Sequence, residues 1–355
     1  MNVDRSGSYP APDRQRDYEE VVVNLALWSA AGDALGWMTE MFHGNSGVRY
    51  RTGAGKVSKP ITWRRRIGGQ SGVTVELPAG TYSDDTQLRL SVSRAIRGDG
   101  KFDVEAFAKI EITVWQGYFL GAGIGSKATA SNLSKRSVNW FSNFFNIEKQ
   151  QYTNAGGNGA AMRIQPHVWS ARESGREMVK GVLHDSLVTH GHPHGFCGAV
   201  FHAKCLQSTI QNRRIPTLED AQAFVEQMPQ LEDLIRHDNE LSLFWLPTWK
   251  RETNTELADA LEMFRVEAIR DLDAVDRLFQ FNTPPPPKKY HDLLRELGCL
   301  EKQFRGSGFK TSLAALLLSQ LYENGNYSAT KCCSDVGFLW TSGGRVRASY
   351  SIYWT

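Results

Sequence analysis

No apolar run in this 355-residue sequence reaches the roughly 18 residues that a membrane-spanning helix needs. The opening twenty residues are polar and carry no apolar stretch of the signal-peptide kind. Cysteine is scarce. Cys197, Cys205, Cys299, Cys332 and Cys333 show no C-x-x-C or zinc-like spacing, which excludes a zinc ribbon and a disulfide framework. An odd count without a secretion signal predicts reduced thiols in a cytoplasm. Charge of one sign is also lacking: 41 Lys and Arg stand against 38 Asp and Glu, a net charge of +3. So small a surplus gives no expectation of a nucleic-acid partner. Basic residues cluster only at Arg64–Arg66 and Lys288-Lys289, and the first cluster, beside Trp63, is where phosphates could be met. No internal repeat of a solenoid period is present.

What is there is enough for a sizeable core, 41% hydrophobic against 22% charged residues. Residues 1–16 read as a flexible arm. From Asp17 to Phe42 the chain is small and apolar almost all round, which predicts a long, mostly buried helix. Residues 43–80, rich in Gly, Arg and Lys, predict a long loop with a short hairpin near Val73–Leu77. Helical periodicity follows near 84–97, 103–120, 159–171, 175–189 and 194–212, through 217–280, and near 290–303 and 310–324. Strand-like runs are few, so the expected class is all-α, a single domain over 17–329. Residues 217–303 read as a helical excursion containing the polyproline connector Thr283–Lys289, and 330–355 as an atypical tail.

Four segments carry groups suited to chemistry. Ser83-Asp84-Asp85-Thr86 places two carboxylates and two hydroxyls at the start of a helical pattern. Oxygen-only sets of this kind suit a hard cation such as Mg²⁺, although Ser at an N-cap with acids in the first turn also stabilises a helix start. Asp33, inside Ala30–Gly36, is a carboxylate on an apolar surface that needs a hydrogen-bonded, charged or cationic partner. Glu40 lies two helical turns further along the same face. The loop Asn154–Arg163 is rich in glycine and runs into a helical pattern, exposing N–H groups that suit a diphosphate. Thr189-His190-Gly191-His192-Pro193-His194 is a turn in which one histidine can meet a ligand and the others backbone groups.

Taken in order, these segments resemble the ADP-ribosylglycohydrolase family over roughly residues 18–325. Gly32–Gly36 with Glu40, Ser83–Thr86, Gly157–Arg163 with Pro166, Thr189-His190 with His192-Pro193, and Ser307–Phe309 each resemble a family motif. The resemblance implies an all-α orthogonal bundle with two Mg²⁺ ions in a cleft, and hydrolysis of the glycosidic bond at the distal ribose of an ADP-ribosylated acceptor, a protein modified for instance on arginine. It implies metal ligands at Ser83, Asp84 and Asp85, with Asp84, Asp85 and Glu40 as the catalytic carboxylates and Glu40 on a loop over the cleft. Gly157, Asn158, Gly159, Met162, Arg163 and His190 would contact ADP-ribose, and Asp33 would support the metal turn from behind. The family's second acidic turn, Asp-x-Asp, is expected near 335–345, where only Asp335 is acidic. That departure leaves a non-hydrolysing ADP-ribose binder of the same fold as the alternative.

Overall fold

The structure is a computed structural model. It describes residues 12–323 other than 41–43, 55–56, 69–70, 149, 172–174, 280–286, 300, 302–303 and 305. The polyproline connector before Pro287 and the 330–355 tail lie outside the described residues. In chain order the elements are α1 (Pro12–Trp37), α2 (Gly44–Thr52), β1 (Trp63–Ile67), β2 (Val73–Leu77) and α3 (Asp84–Ala95). Next, α4 (Val104–Ala106) runs through a π turn, Phe107–Glu111, into α5 (Ile112–Trp115), followed by α6 (Ile124–Leu133), β3 (Asn146–Ile147) and β4 (Gln150–Gln151). The rest is helical: α7 (Gln165–Ser170), α8 (Gly175–Thr189), α9 (Pro193–Asn212), α10 (Leu218–Glu226), α11 (Leu231–Arg236), α12 (Leu246–Thr253), α13 (Leu257–Phe279), α14 (Pro287–Glu296) and α15 (Gly308–Glu323). The class is mostly helical, as expected, with two small antiparallel hairpins.

α9 lies at the centre, against α7, α8, α10, α13 and α15. Pro193 occupies its first turn, where a missing N–H costs nothing, and His192 caps it by accepting the His194 N–H at its Nδ1, 3.2 Å away. Phe196, Val200 and Phe201 of α9 are buried with Phe309, Leu313 and Leu317 of α15. The two helices touch backbone to backbone. A methyl group at Gly198 would overlap the Phe309 nitrogen, and one at Gly308 would fall 2.5 Å from the His194 carbonyl. Neither neighbour is a side chain that can swing away. Gly198→Ala should therefore cost about 1–3 kcal/mol or more through forced helix separation, read as a lower urea midpoint. An unchanged midpoint would contradict this packing.

Several elements differ from the sequence expectation. α1 begins at Pro12, inside the supposed arm, and is not buried all round: Val23, Leu27 and Trp28 are exposed while Leu25, Ala34 and Trp37 are buried. It is an outer helix that packs on α3, so only one stripe is covered. Residues 43–80 contain the helix α2 as well as the hairpin. Gly44 and Gly47 hide α2 from propensity, but Val48 anchors it in a satellite cluster with Trp37, Met38, Val57, Trp63 and Leu77. In the hairpin, Trp63 pairs with Leu77 and Ile67 with Val73. Of 159–171 only α7 is helical, because residues 158–163 form turns closed by the Met162 N–H on the Asn158 carbonyl and the Arg163 N–H on the Ala160 carbonyl.

The segment 218–279 is no surface excursion. Trp245, Trp249, Leu257, Leu261 and Phe264 belong to the main core. Trp249 Nε1 donates to the Gly191 carbonyl at 2.6 Å, and Trp245 Nε1 to the Tyr152 hydroxyl at 2.7 Å. Tyr152 in turn donates to the Leu187 carbonyl. This segment thus holds the histidine turn from behind. Among the described residues no helix is long and apolar enough to cross a membrane.

Candidate active site

A cleft of about 540 Å³ is lined by the glycine-rich loop after β4, the histidine turn between α8 and α9 and the approach to α15, together with the start of α6 and Glu267 of α13. The loop is fixed at both sides. Gly157 and Ser307 form an isolated antiparallel bridge, and the Gly308 N–H donates to the Gly156 carbonyl at 2.9 Å. Gly157, Asn158, Gly159 and His190 all line the cleft, so four of the expected ligand contacts do come together. Glycine lets the loop lie close to the histidines: a methyl at Gly159 would lie 3.0 Å from the His190 ring, and one at Gly156 3.0 Å from His192 Nδ1, so either ring would have to give way by a few tenths of an ångström.

Met162 and Arg163 are placed differently. Both have no exposed surface and neither lines the cleft. Met162 is core. Arg163 lies beneath the loop, its Nε 2.8 Å from Asp185 Oδ1 in an ion pair buried on both sides. Its Nη1 donates to the Gly159 carbonyl (3.0 Å) and its Nη2 to the Asp185 carbonyl (2.9 Å) and Thr189 Oγ1 (2.8 Å). Asp185 is also 3.0 Å from His167 Nε2. Burial pushes the Asp185 carboxyl up, but the Arg163 charge and the His167 hydrogen bond outweigh it and leave it below the usual range. Arg163 therefore braces the glycine-rich loop from beneath and does not face the cleft.

The same line of groups sets His190. Thr189 Oγ1 accepts from Arg163, lies 2.6 Å from His190 Nδ1, and is 3.4 Å from the Ser186 carbonyl, which can take its proton. His190 is thus tied back at Nδ1, and its Nε2 lies beside Gly157 and Gly159 at the cleft wall. Burial and then the Arg163 charge lower the His190 pKa to about 3. His202, buried beneath Gln165, is likewise lowered to about 3, by burial first and then by Arg89. His192, at the cap of α9, is lowered to about 4, by burial first and then by the His194 charge. The consequence has a definite sign. The unfolded imidazoles protonate near 6.5 and the folded ones near 3 or 4, so unfolding takes up three protons between those values. Stability is full above about pH 6.5 and should fall by roughly 4 kcal/mol per pH unit as acid is added below it. Urea midpoints measured at descending pH check this, and a midpoint flat down to about pH 5 would refute it.

The acidic turn is built on an N-cap. Ser83 Oγ accepts the Asp85 N–H at 3.2 Å, and both aspartates begin α3. Asp33 of α1 reinforces it from behind. Its Oδ2 accepts the Ser83 N–H (3.0 Å), the Thr86 N–H (3.1 Å) and the Thr86 hydroxyl (2.7 Å). Arg89, buried between α3 and the core, donates to Gln165 Oε1 at 3.0 Å and to Ser29 Oγ, with Asp33 and Asp85 as its nearby counter-charges. Burial lowers its pKa against their pull. Asp84 and Asp85 are themselves buried.

None of Ser83, Asp84 and Asp85 lines the cleft, but one segment joins the two. A methyl at Gly121 would fall 2.9 Å from Asp84 Oδ1 and 3.0 Å from Trp37 Nε1, while Gly123 and Gly125, just beyond, line the cleft. Glu40, expected on a loop over the cleft, is instead buried in the turn closing α1, its N–H on the Trp37 carbonyl, and does not line the cleft. Ser83, Asp84 and Asp85 are hard oxygen donors of the kind Mg²⁺ takes. Among the described residues, however, no three His, Cys, Asp or Glu gather as a metal site would need. The described donors amount to part of a shell.

Three lining residues were not foreseen as a unit. His194 Nδ1 is 2.8 Å from Ser307 Oγ and its Nε2 is 3.0 Å from Glu267 Oε2 of α13. The hydrogen bond from His194, then burial working against it, leaves Glu267 at about 2. Separations of 113 and 73 residues leave no local signal for this contact.

The structure is thus a helical fold with a glycine- and histidine-lined cleft beside an acidic helix start. The sequence model of the ADP-ribosylglycohydrolase family matches residues 14–332, and the chain belongs to that family. A solved structure described as an ADP-ribosylglycohydrolase-related protein complex is similar in fold, with a TM-score of 0.51 at 15% identity over 95% of this chain and 86% of that one. No curated protein matches.

Proposed function

We propose that this chain hydrolyses the glycosidic bond between the distal ribose of ADP-ribose and an acceptor, a modified protein side chain such as arginine, with Mg²⁺ at the Ser83–Asp85 turn. Glycohydrolysis follows from the family; the acceptor and the metal are the proposal. The observation that carries it is the Gly121–Gly125 segment, which touches Asp84 at one end and lines the glycine and histidine cleft at the other. Gly157 and Gly159 would present backbone N–H groups to the diphosphate, and neutral His190 would meet it at Nε2. The distal ribose would then extend along Gly123 and Gly121 toward Asp84. There a carboxylate of Asp84 or Asp85 orients the attacking water and takes its proton. Bound at this turn, Mg²⁺ would lower the pKa of a coordinated water and hold ribose hydroxyls.

The test is release of ADP-ribose from ADP-ribosyl-arginine with and without added Mg²⁺, beside calorimetric titration of ADP-ribose. Mg²⁺-dependent release supports the whole reading. Tight binding with no release from arginine- or serine-linked substrates would replace it with an ADP-ribose binder, and absence of both would refute the assignment of the cleft.

A further inference from the structure

We propose that Gln87 is a positioning residue for the hydrolysis: resting on the hydrolase reading above, its side chain seats the segment that would carry the distal ribose onto the acidic turn. Helical periodicity puts Leu88, Val92 and Ala95 on the apolar face of α3 and Gln87 beside it, where a glutamine reads as a surface residue. In the fold it is buried, 8% exposed. A buried amide is costly unless its polar atoms find partners. Gln87 Oε1 accepts from Trp115 Nε1 at 3.0 Å and from the Leu120 N–H at 3.2 Å. An indole N–H and a backbone N–H can only donate, so together they fix which end of the amide faces them.

Both donors lie on the chain that leads to the cleft. Trp115 ends α5 and is fully buried, and Leu120 directly precedes Gly121. Asp84 and Gln87 stand three residues apart on α3, hence on one face of the helix. That face presents a carboxylate oxygen to Gly121 and an acceptor to the residue before it. Gly121 has φ 87°, a conformation that side chains other than glycine's rarely allow, so its backbone is shaped to lie this close. Beyond it Gly123 and Gly125 line the cleft.

The residues around Gln87 hold other walls of the same turn. Thr86 donates to Asp33 of α1, and Arg89 to Gln165 of α7. Gln87 holds the third, the one along which the distal ribose would reach Asp84. It does not line the cleft itself, so it acts through the segment and not on the ligand. Its effect should fall on the alignment of the anomeric carbon with the carboxylates, where a shift of about 1 Å can cost roughly 10²-fold in rate.

Two variants of the full chain test this. Gln87→Leu removes the acceptor at similar volume, and Gln87→Glu keeps an oxygen for both donors. In single-turnover release from ADP-ribosyl-arginine, Gln87→Leu should be slower by roughly 10²-fold. Gln87→Glu should recover about tenfold of that loss, because a carboxylate can accept from both N–H groups. Calorimetry adds a readout that needs no turnover. ADP lacks the distal ribose and should bind both variants as it binds the parent, whereas ADP-ribose should bind Gln87→Leu about three- to tenfold more weakly. A Gln87→Leu protein that binds ADP and releases ADP-ribose at the parent rate would overturn the proposal. Equal losses of ADP and ADP-ribose affinity would also overturn it, making Gln87 a general support of the fold. Failure of the hydrolase reading looks different: the parent itself would release nothing, and the role of Gln87 would fall with it.

Discussion

Asp84→Asn and Asp85→Asn, each alone, are expected to lower ADP-ribose release by roughly 10²–10⁴-fold while leaving calorimetric binding of ADP-ribose nearly intact. The split follows from geometry. Neither carboxylate lines the cleft where the glycine loop and His190 would hold the diphosphate, so most of the affinity should come from that cleft and only the hold on the distal ribose from the acidic turn. Asparagine keeps the shape and a hydrogen-bonding oxygen but cannot take a proton. The two variants should differ in stability. Asp85 is a counter-charge of buried Arg89, so its neutralisation leaves part of that cation uncompensated and should lower the melting temperature. Asp84, fully buried beside Gly121 and Trp37, is not among those counter-charges and should melt closer to the parent. Equal losses of binding and release would make these residues ligand contacts, and unaltered release in both variants would refute their catalytic role.

How far the sequence could be read depended on the distance over which each contact acts. The α3 start was legible because Ser83, Asp84 and Asp85 form a cap within a few residues. Asp33 was legible as a carboxylate needing partners, because its neighbours are apolar, although its three donors lie about fifty residues away. The glycine loop and His190 were legible as candidates for one site, and both line the cleft. Met162 and Arg163 were misplaced because adjacency in a motif does not say which side chain turns inward. A turn at 158–163, where a helix was expected, sends both beneath the loop. The same limit applies to α2, whose glycines argue against a helix that Val48 packing stabilises. It applies also to residues 218–279, whose charged outer face conceals tryptophans committed to the core. The cationic face of β1 was visible as Arg64–Arg66, but its position next to Gly121 and Asp84 exists only in the fold.

Arg163 joins the core to the cleft, and its removal should be the most damaging single change to stability. Arg163→Met leaves Asp185 fully buried with only His167 as an ion-pair partner, a break expected to cost about 3–5 kcal/mol. The lost guanidinium also releases the Gly159 carbonyl and Thr189, and through Thr189 the orientation of His190. Stability and ligand binding should therefore separate in a second variant. Arg163→Met combined with Asp185→Leu removes both charges and should recover part of the lost stability, since a buried pair replaced by apolar groups is often near neutral. It should not recover ADP-ribose affinity, because nothing then holds the loop and the histidine in register. Urea denaturation and calorimetry on the parent, single and double variants measure both quantities. If the double variant regained affinity along with stability, Arg163 would be a core residue with no part in shaping the cleft.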